Sequence, residues 1–181
     1  MIQVKADLDT RHTKSDVLPY QYPQPWGVMP EMVIPNALDG DARLWVPLSE
    51  GTWSRPLHLN VTTGYYVHLL RVTRSGLLQR HRHAGGVHAY VIKGSWFYLE
   101  HDWVAREGSY IFEPPGETHT LMVPDDCDEM ITLFTVQGPL IFVDPYGVAT
   151  GYEDVFTRIE KYRRHFDQIG LGADHVKSFM R

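Results

Sequence analysis

Residues 76–123 read GLLQRHRHAGGVHAYVIKGSWFYLEHDWVAREGSYIFEPPGETHTLMV. Runs of β-branched and aromatic residues (HAYVIK, SWFYLE, SYIFE, HTLMV) alternate here with Gly, Pro and Asp, and none repeats with a helical period. The same texture extends outward, through ARLWVPL, RPLHLNV and GYYVHLLRVT on one side and MITLFTVQG and PLIFVDPYG on the other. Short strands at such regular spacing predict an antiparallel sandwich or barrel over residues 41–147.

The flanks read differently. Residues 1–40 are rich in Pro, Tyr and polar residues, which predicts an irregular arm with at most one short strand. Its aromatic residues Tyr20, Tyr22 and Trp26 suit a neighbouring subunit or a sheet edge better than a ligand. Residues 148–181 switch period. Val155, Ile159, Tyr162, Phe166 and Ile169 form an apolar stripe on one helix face. Thr150 and Glu153 have capping-box spacing, Gly170 is placed to end the helix, and a second helical piece is expected from Asp174 onward.

Composition bounds the function. Across 181 residues, 17 Lys and Arg against 22 Asp and Glu leave a formal charge of −5. Mild acidity without a basic block argues against nucleic acid as the main partner. No apolar run approaches the roughly 20 residues of a membrane span, so no membrane partner is expected. The opening MIQVKADLDTRHTKSD has no apolar core of a secretory signal, and the single Cys127 fits a reducing compartment. A cytoplasmic protein is expected. Cys127 itself, in a loop with Asp125, Asp126 and Asp128, carries no nucleophile signature.

Ten histidines are many for this length, and His81, His83, His88, His101 and His119 fall within 39 residues. On a strand, residues i and i+2 face the same way, so His81 and His83 can converge inside a barrel. Neutral imidazole is the commonest metal ligand, but an HxH pair alone is weak evidence and also suits two surface histidines beside Arg80 and Arg82. A second segment strengthens it. Gly108, Pro114, Gly116 and His119 read G-x5-P-x-G-x2-H without a gap. Its Pro and Gly make a rigid turn that reverses the chain and starts a new strand at His119.

These two segments resemble the paired motifs of the cupin superfamily, G-x5-HxH-x3,4-E-x6-G and G-x5-PxG-x2-H-x3-N. The second matches except at its last position, where Val123 replaces Asn. The first is degenerate: four residues separate Gly76 from His81, and Val87 stands where the acidic ligand belongs, with His88 beside it. The resemblance implies an all-β fold, the cupin double-stranded β-helix or jelly-roll barrel, here with an N-terminal arm and a C-terminal α-helix. It implies a metal held by His81, His83 and His119, with the fourth ligand missing. Such a centre is left positive and open, suited to a chelating anionic substrate and dioxygen.

A narrower resemblance joins HRHAGGVHAYVIKGSWFYLEHDWVAREGSYIFEPPGETHTL and the later IGLGADHV to 2,4′-dihydroxyacetophenone dioxygenases and, more loosely, to acetylacetone-cleaving cupins. It implies Fe(II), O2 as co-substrate, oxygenative C–C cleavage of an α-hydroxyketone or related carbonyl compound, and a homodimer. It also implies a carboxylate near the iron, for which Glu100 is the matching residue. The same ligands would hold Zn, Mn or Ni in a non-oxidative isomerase or lyase, and a small-molecule sensor cupin is a further alternative. His88 is a fourth ligand, a substrate donor, or an outward-facing or hydrogen-bonding residue. Candidate substrate contacts are Tyr66 and His68 on one strand, with Tyr90, Tyr98 and Phe112 on strands beside the site. Glu117, in the turn, is expected to be solvated.

Overall fold

The structure is a computed structural model that describes residues 18–181. The first 17 residues of the expected arm lie outside the described residues. The chain divides after Asp41 into two compact units. Residues 18–41 contain turns and bends but no strand or helix.

In the second unit a 3-10 turn, Ala42–Leu44, leads into twelve strands: β1 Val46–Ser49, β2 Thr52–Leu59, β3 Tyr66–Val72, β4 Gly76–His83, β5 Val87–Lys93, β6 Ser95–Tyr98, β7 Val104–Arg106, β8 Tyr110–Glu113, β9 Thr118–Val123, β10 Met130–Val136, β11 Leu140–Val143 and β12 Ala149–Glu153. Helix α1, Val155–Gln168, and a 3-10 stretch, Ala173–Phe179, close the chain. No helix among the described residues is long and apolar enough to cross a membrane.

The strands form two six-stranded sheets, ordered β1-β2-β3-β10-β5-β8 and β12-β11-β4-β9-β6-β7. Every pairing between named strands is antiparallel. This is the antiparallel sandwich that the strand spacing predicts. Alternation drives it: in β10, Met130, Thr132, Phe134 and Val136 are buried while the residues between them are half-exposed. Trp96, fully buried, donates its indole N–H to Thr132 Oγ1 at 3.1 Å, so its one polar atom is not stranded in the core.

The second sheet extends past residue 147, where the barrel was expected to end. β12 pairs with β11 from Leu140↔Glu153 to Val143↔Ala149. ATGYE lacks a strong strand pattern, and the β11 edge supplies the hydrogen bonds that hold it extended. Helix α1 buries Val155, Ile159, Tyr162 and Phe166, four residues of the expected stripe, together with Arg158. Its cap is not the expected Thr150–Glu153 pair, because both lie in β12. Asp154 accepts from Thr157 N at 2.8 Å, and Thr157 Oγ1 accepts from Asp154 N at 2.8 Å. Asp154→Ala removes one half of that box and is expected to cost about 1 kcal/mol in urea unfolding, without changing the fold. Gly170, at φ +78°, follows the last turn as expected.

Candidate functional site

Strand pairing brings the histidines together. β4 and β9 run antiparallel with His81 directly opposite His119, after a bulge between Leu77 and Gln79. On the other side of β4, Leu140 pairs with His83. The turn that carries Pro114 and Gly116 is tied back to the HxH strand: Gly116 N donates to His83 O at 2.9 Å, and His83 N to Glu117 O at 3.3 Å. Gly116 sits at φ +89°, a region that a residue with a Cβ adopts only with strain.

All three rings are buried, and their Nε2 atoms meet. His81 Nε2 lies 2.9 Å from His83 Nε2 and 3.2 Å from His119 Nε2. The rings stand 63° to 88° apart. Tyr98 stacks on His119 at 3.7 Å and 7°, which fixes that ring by packing.

A fourth group completes the cluster, and it is Glu113. Its Oε2 lies 2.9 Å from His83 Nε2 and 3.6 Å from His119 Nε2. Its Oε1 accepts from Tyr98 OH at 2.7 Å. Glu113 pairs in register with Val87, the position at which the first motif lost its acidic residue. A carboxylate from the neighbouring strand therefore reaches the ground that the missing one vacated. The carboxylate beside the histidines is therefore Glu113, where Glu100 was the expected one.

Proton placement tests whether this cluster suits a cation. The short contacts form a chain, Glu113–His83–His81–His119, and each neutral ring has one proton to place. With Glu113 ionised, the single N–H of His83 must serve both Glu113 and His81; with it protonated, the N–H of His81 must serve both of its neighbours. A cation facing all the lone pairs removes that conflict. The Nε2 atoms of His83 and His119, 2.9 and 3.2 Å from that of His81, are close enough to share one cation. The three histidines thus fit a divalent metal of the kind that imidazole binds.

Electrostatics keep the His81 and His119 rings neutral. Burial, then the neighbouring His83 and His119, hold the His81 pKa well below its ordinary value. Burial depresses His119 to about 4, with Glu113 pulling the other way. Between pH 6.5 and 4 the unfolded chain takes up a proton at residue 119 that the folded chain refuses. The stability involved is present above pH 6.5 and lost as pH falls through about 4, roughly 3 kcal/mol for His119. Urea unfolding of metal-free protein at pH 7.5 and 4.5 should show that loss, and His119→Gln should flatten it.

The cluster opens on a cavity of about 260 Å³ between the sheets. Leu70, Leu121, Phe134, Val136 and Leu140 give it apolar walls; Tyr98, Glu113, His68, Arg158 and Lys161 give it polar ones. Of the candidate substrate contacts, His68 and Tyr98 line this cavity, while Tyr66 is fully buried behind it under the Arg158 guanidinium, 4.6 Å from the ring. Tyr90 and Phe112 point away. They are 47% and 53% exposed, because on β5 and β8 the inward residues are Val87, Ala89, Val91 and Glu113. Their assignment as substrate contacts is corrected on that parity.

Glu100 is corrected because β6 ends at Tyr98 and the turn that follows carries it out of the sheet. It is exposed, and accepts from Thr120 N and Thr120 Oγ1, both at 2.7 Å. Thr120 follows His119 on β9, so it faces the opposite side of the sheet. Burial works against the charge, but the Thr120 hydrogen bonds hold the Glu100 pKa low. His88 lies on the outer side of β5, its Nδ1 2.7 Å from Tyr110 OH, and takes no part in the cluster. Glu117 is half-buried and pairs with His101 at 2.7 Å instead of standing free in solvent.

Sequence reasoning missed Glu113, Glu153, Arg158 and Lys161. Alternation through SYIFE was the available signal for Glu113, since it shares a face with Ile111. Arg158, three residues after Val155, was legible as a charge on the apolar stripe of α1.

Comparison with known proteins agrees with this fold. Residues 35–141 match the family described as the ChrR cupin-like domain. An RmlC-like cupin protein from Ralstonia eutropha JMP134 is 26% identical, with 77% of this chain and 90% of the other covered at a TM-score of 0.70. A cupin-like protein of unknown function from the same organism is also 26% identical, covering 66% and 75% at 0.64. An acetylacetone dioxygenase from Acinetobacter johnsonii shares the fold at 20% identity, covering 81% and 99% at a TM-score of 0.66. No curated protein matches the sequence.

Proposed function

Because the chain belongs to the ChrR cupin-like domain family, a fold that hosts several chemistries, we propose its function from the site: a metal-dependent dioxygenase that cleaves a C–C bond of an α-hydroxyketone or related carbonyl compound. The observation that carries the reading is the meeting of three imidazole Nε2 atoms beside one carboxylate, at the wall of a largely apolar cavity. His81, His83 and His119 would hold the metal, Fe(II) in this reading. When bound, it supplies a Lewis acid and an electron relay for a chelating substrate and O2.

The chain's own residues do the rest. Glu113 Oε2, buried and turned toward the histidines, accepts the proton that the hydroxyketone gives up on becoming an anion. Tyr98 donates to Glu113 Oε1 and so aims the other oxygen. The phenol can only donate here, since burial, then Glu113, push its pKa well up. Leu70, Leu121, Phe134 and Leu140 exclude water from the electron-rich anion. The reaction balances as R–CO–CH2OH plus O2 giving R–COOH plus formic acid, with O2 as the oxidant.

The test is anaerobic loading with Fe(II), then an oxygen electrode with a panel of aryl hydroxyketones. Uptake of one O2 per pair of acids formed is expected. No uptake across the panel overturns the reading, and turnover without O2 points to an isomerase or lyase on the same ligands.

A further inference from the structure

Along the same cavity, the other sheet, the end of β12 and α1 contribute a second polar cluster that the cleavage chemistry leaves unused. Arg158, 3% exposed, donates from NH1 to Ser54 Oγ at 3.0 Å and to Tyr162 OH at 3.2 Å. Its NH2 pairs with Glu153 at 2.6 Å. Ser54 Oγ lies 2.7 Å from Tyr162 OH and 2.9 Å from His68 Nδ1. Lys161 also pairs with Glu153, at the cavity wall.

The protons in this cluster have one consistent arrangement. Arg158 donates to both hydroxyl oxygens, so both accept. Tyr162 then gives its proton to Ser54, and Ser54 gives its own to His68 Nδ1. The reverse order leaves the Tyr162 proton with no acceptor, and Arg158 NH1, 3.4 Å from Nδ1, also opposes a proton there. His68 therefore carries its hydrogen on Nε2, the remaining polar atom of a ring that lines the cavity. Burial, then the Arg158 charge, keep that ring neutral.

Charge points the same way. Arg158 and Lys161 face one carboxylate, Glu153, which leaves this end of the cavity with one excess positive charge. Arg158 Nε is a further donor, buried with no protein partner. A neutral phenol, with a pKa near 10, does not answer that charge; a carboxylate, ionised at pH 7, does.

We propose that His68, Arg158 and Lys161 form a carboxylate subsite, and that the substrate is a chelating carbonyl compound bearing a carboxylate at the end remote from the metal. The metal end of this inference rests on the proposed function; the carboxylate end stands on the second cluster alone.

Three probes test it by calorimetry on the full chain, Zn(II)-loaded and metal-free, at pH 7.5: 2-hydroxyacetophenone, its 4-hydroxy analogue and its 4-carboxylate analogue. The carboxylate should bind at least tenfold more tightly than either of the others, and keep its advantage without metal. His68→Leu should abolish the preference, while His68→Gln, whose amide N–H reaches the place of Nε2–H, should retain part of it. Imidazole 15N spectra of the wild-type protein, with His68 assigned by difference from His68→Gln, should show the Nε2–H tautomer. Equal affinity for the three probes, or an Nδ1–H tautomer at residue 68, overturns the proposal. The metal reading fails separately, if the neutral probe binds Zn(II)-loaded and metal-free protein alike.

Discussion

His119→Ala is expected to empty the metal centre and stop turnover. The substitution removes one of three converging nitrogens and leaves His81 and His83, which are adjacent on one strand, without the group opposite them. Even the loss of a residue that merely supports a metal ligand commonly weakens binding by 10- to 100-fold, so loss of a ligand should exceed roughly 100-fold. Oxygen uptake should fall by at least about three orders of magnitude, since without metal only binding and the carboxylate remain. The fold should survive: His119 contributes one buried ring to a sandwich whose core lies in Trp96, Tyr66, Leu69 and Met130. The measurements are metal content after dialysis, circular dichroism and oxygen uptake. A variant that keeps a full equivalent of metal, or its activity, removes residue 119 from the centre.

Glu113→Gln is expected to separate metal binding from chemistry. The amide keeps the shape and still accepts from Tyr98, but it cannot take a proton. If three histidines hold the metal, metal content stays near that of the wild type. kcat should fall by about 10²- to 10³-fold, the range in which loss of a positioned base is felt, with KM little changed. Tyr98→Phe should cost less, about tenfold, because it frees Glu113 Oε1 without removing the base. Should Glu113→Gln lose metal and activity together, the carboxylate is a ligand, and proton transfer belongs to another group.

Both predictions centre on a residue pair that shows where sequence reading succeeds and where it stops. His81 and His83 were legible because a spacing of two has only one consequence on a strand, and His119 because a Pro–Gly turn leaves few ways for the chain to return. The site carboxylate was not legible in that way. Glu100 shares the parity of the buried Trp96 and Tyr98, but β6 ends at Tyr98 and Glu100 falls in the turn, whereas β8 runs through Glu113. A one-residue shift of parity decides which side chains face inward. Tyr90 and Phe112 were misplaced by the same ambiguity, their strands being rich in large residues on both faces.

The strand-rich middle, the helical tail and the converging histidines follow from side-chain periodicity and turn chemistry, which act within a few residues along the chain. Pairing across strands decided everything that needs a second strand for its definition: Glu113 opposite Val87, β12 held by β11, and Arg158 of a distant helix set among Ser54, His68 and Tyr162. The physical reason is that buried charge is tolerated only where partners surround it, and two partners of Arg158, His68 and Ser54, are 90 and 104 residues away in sequence.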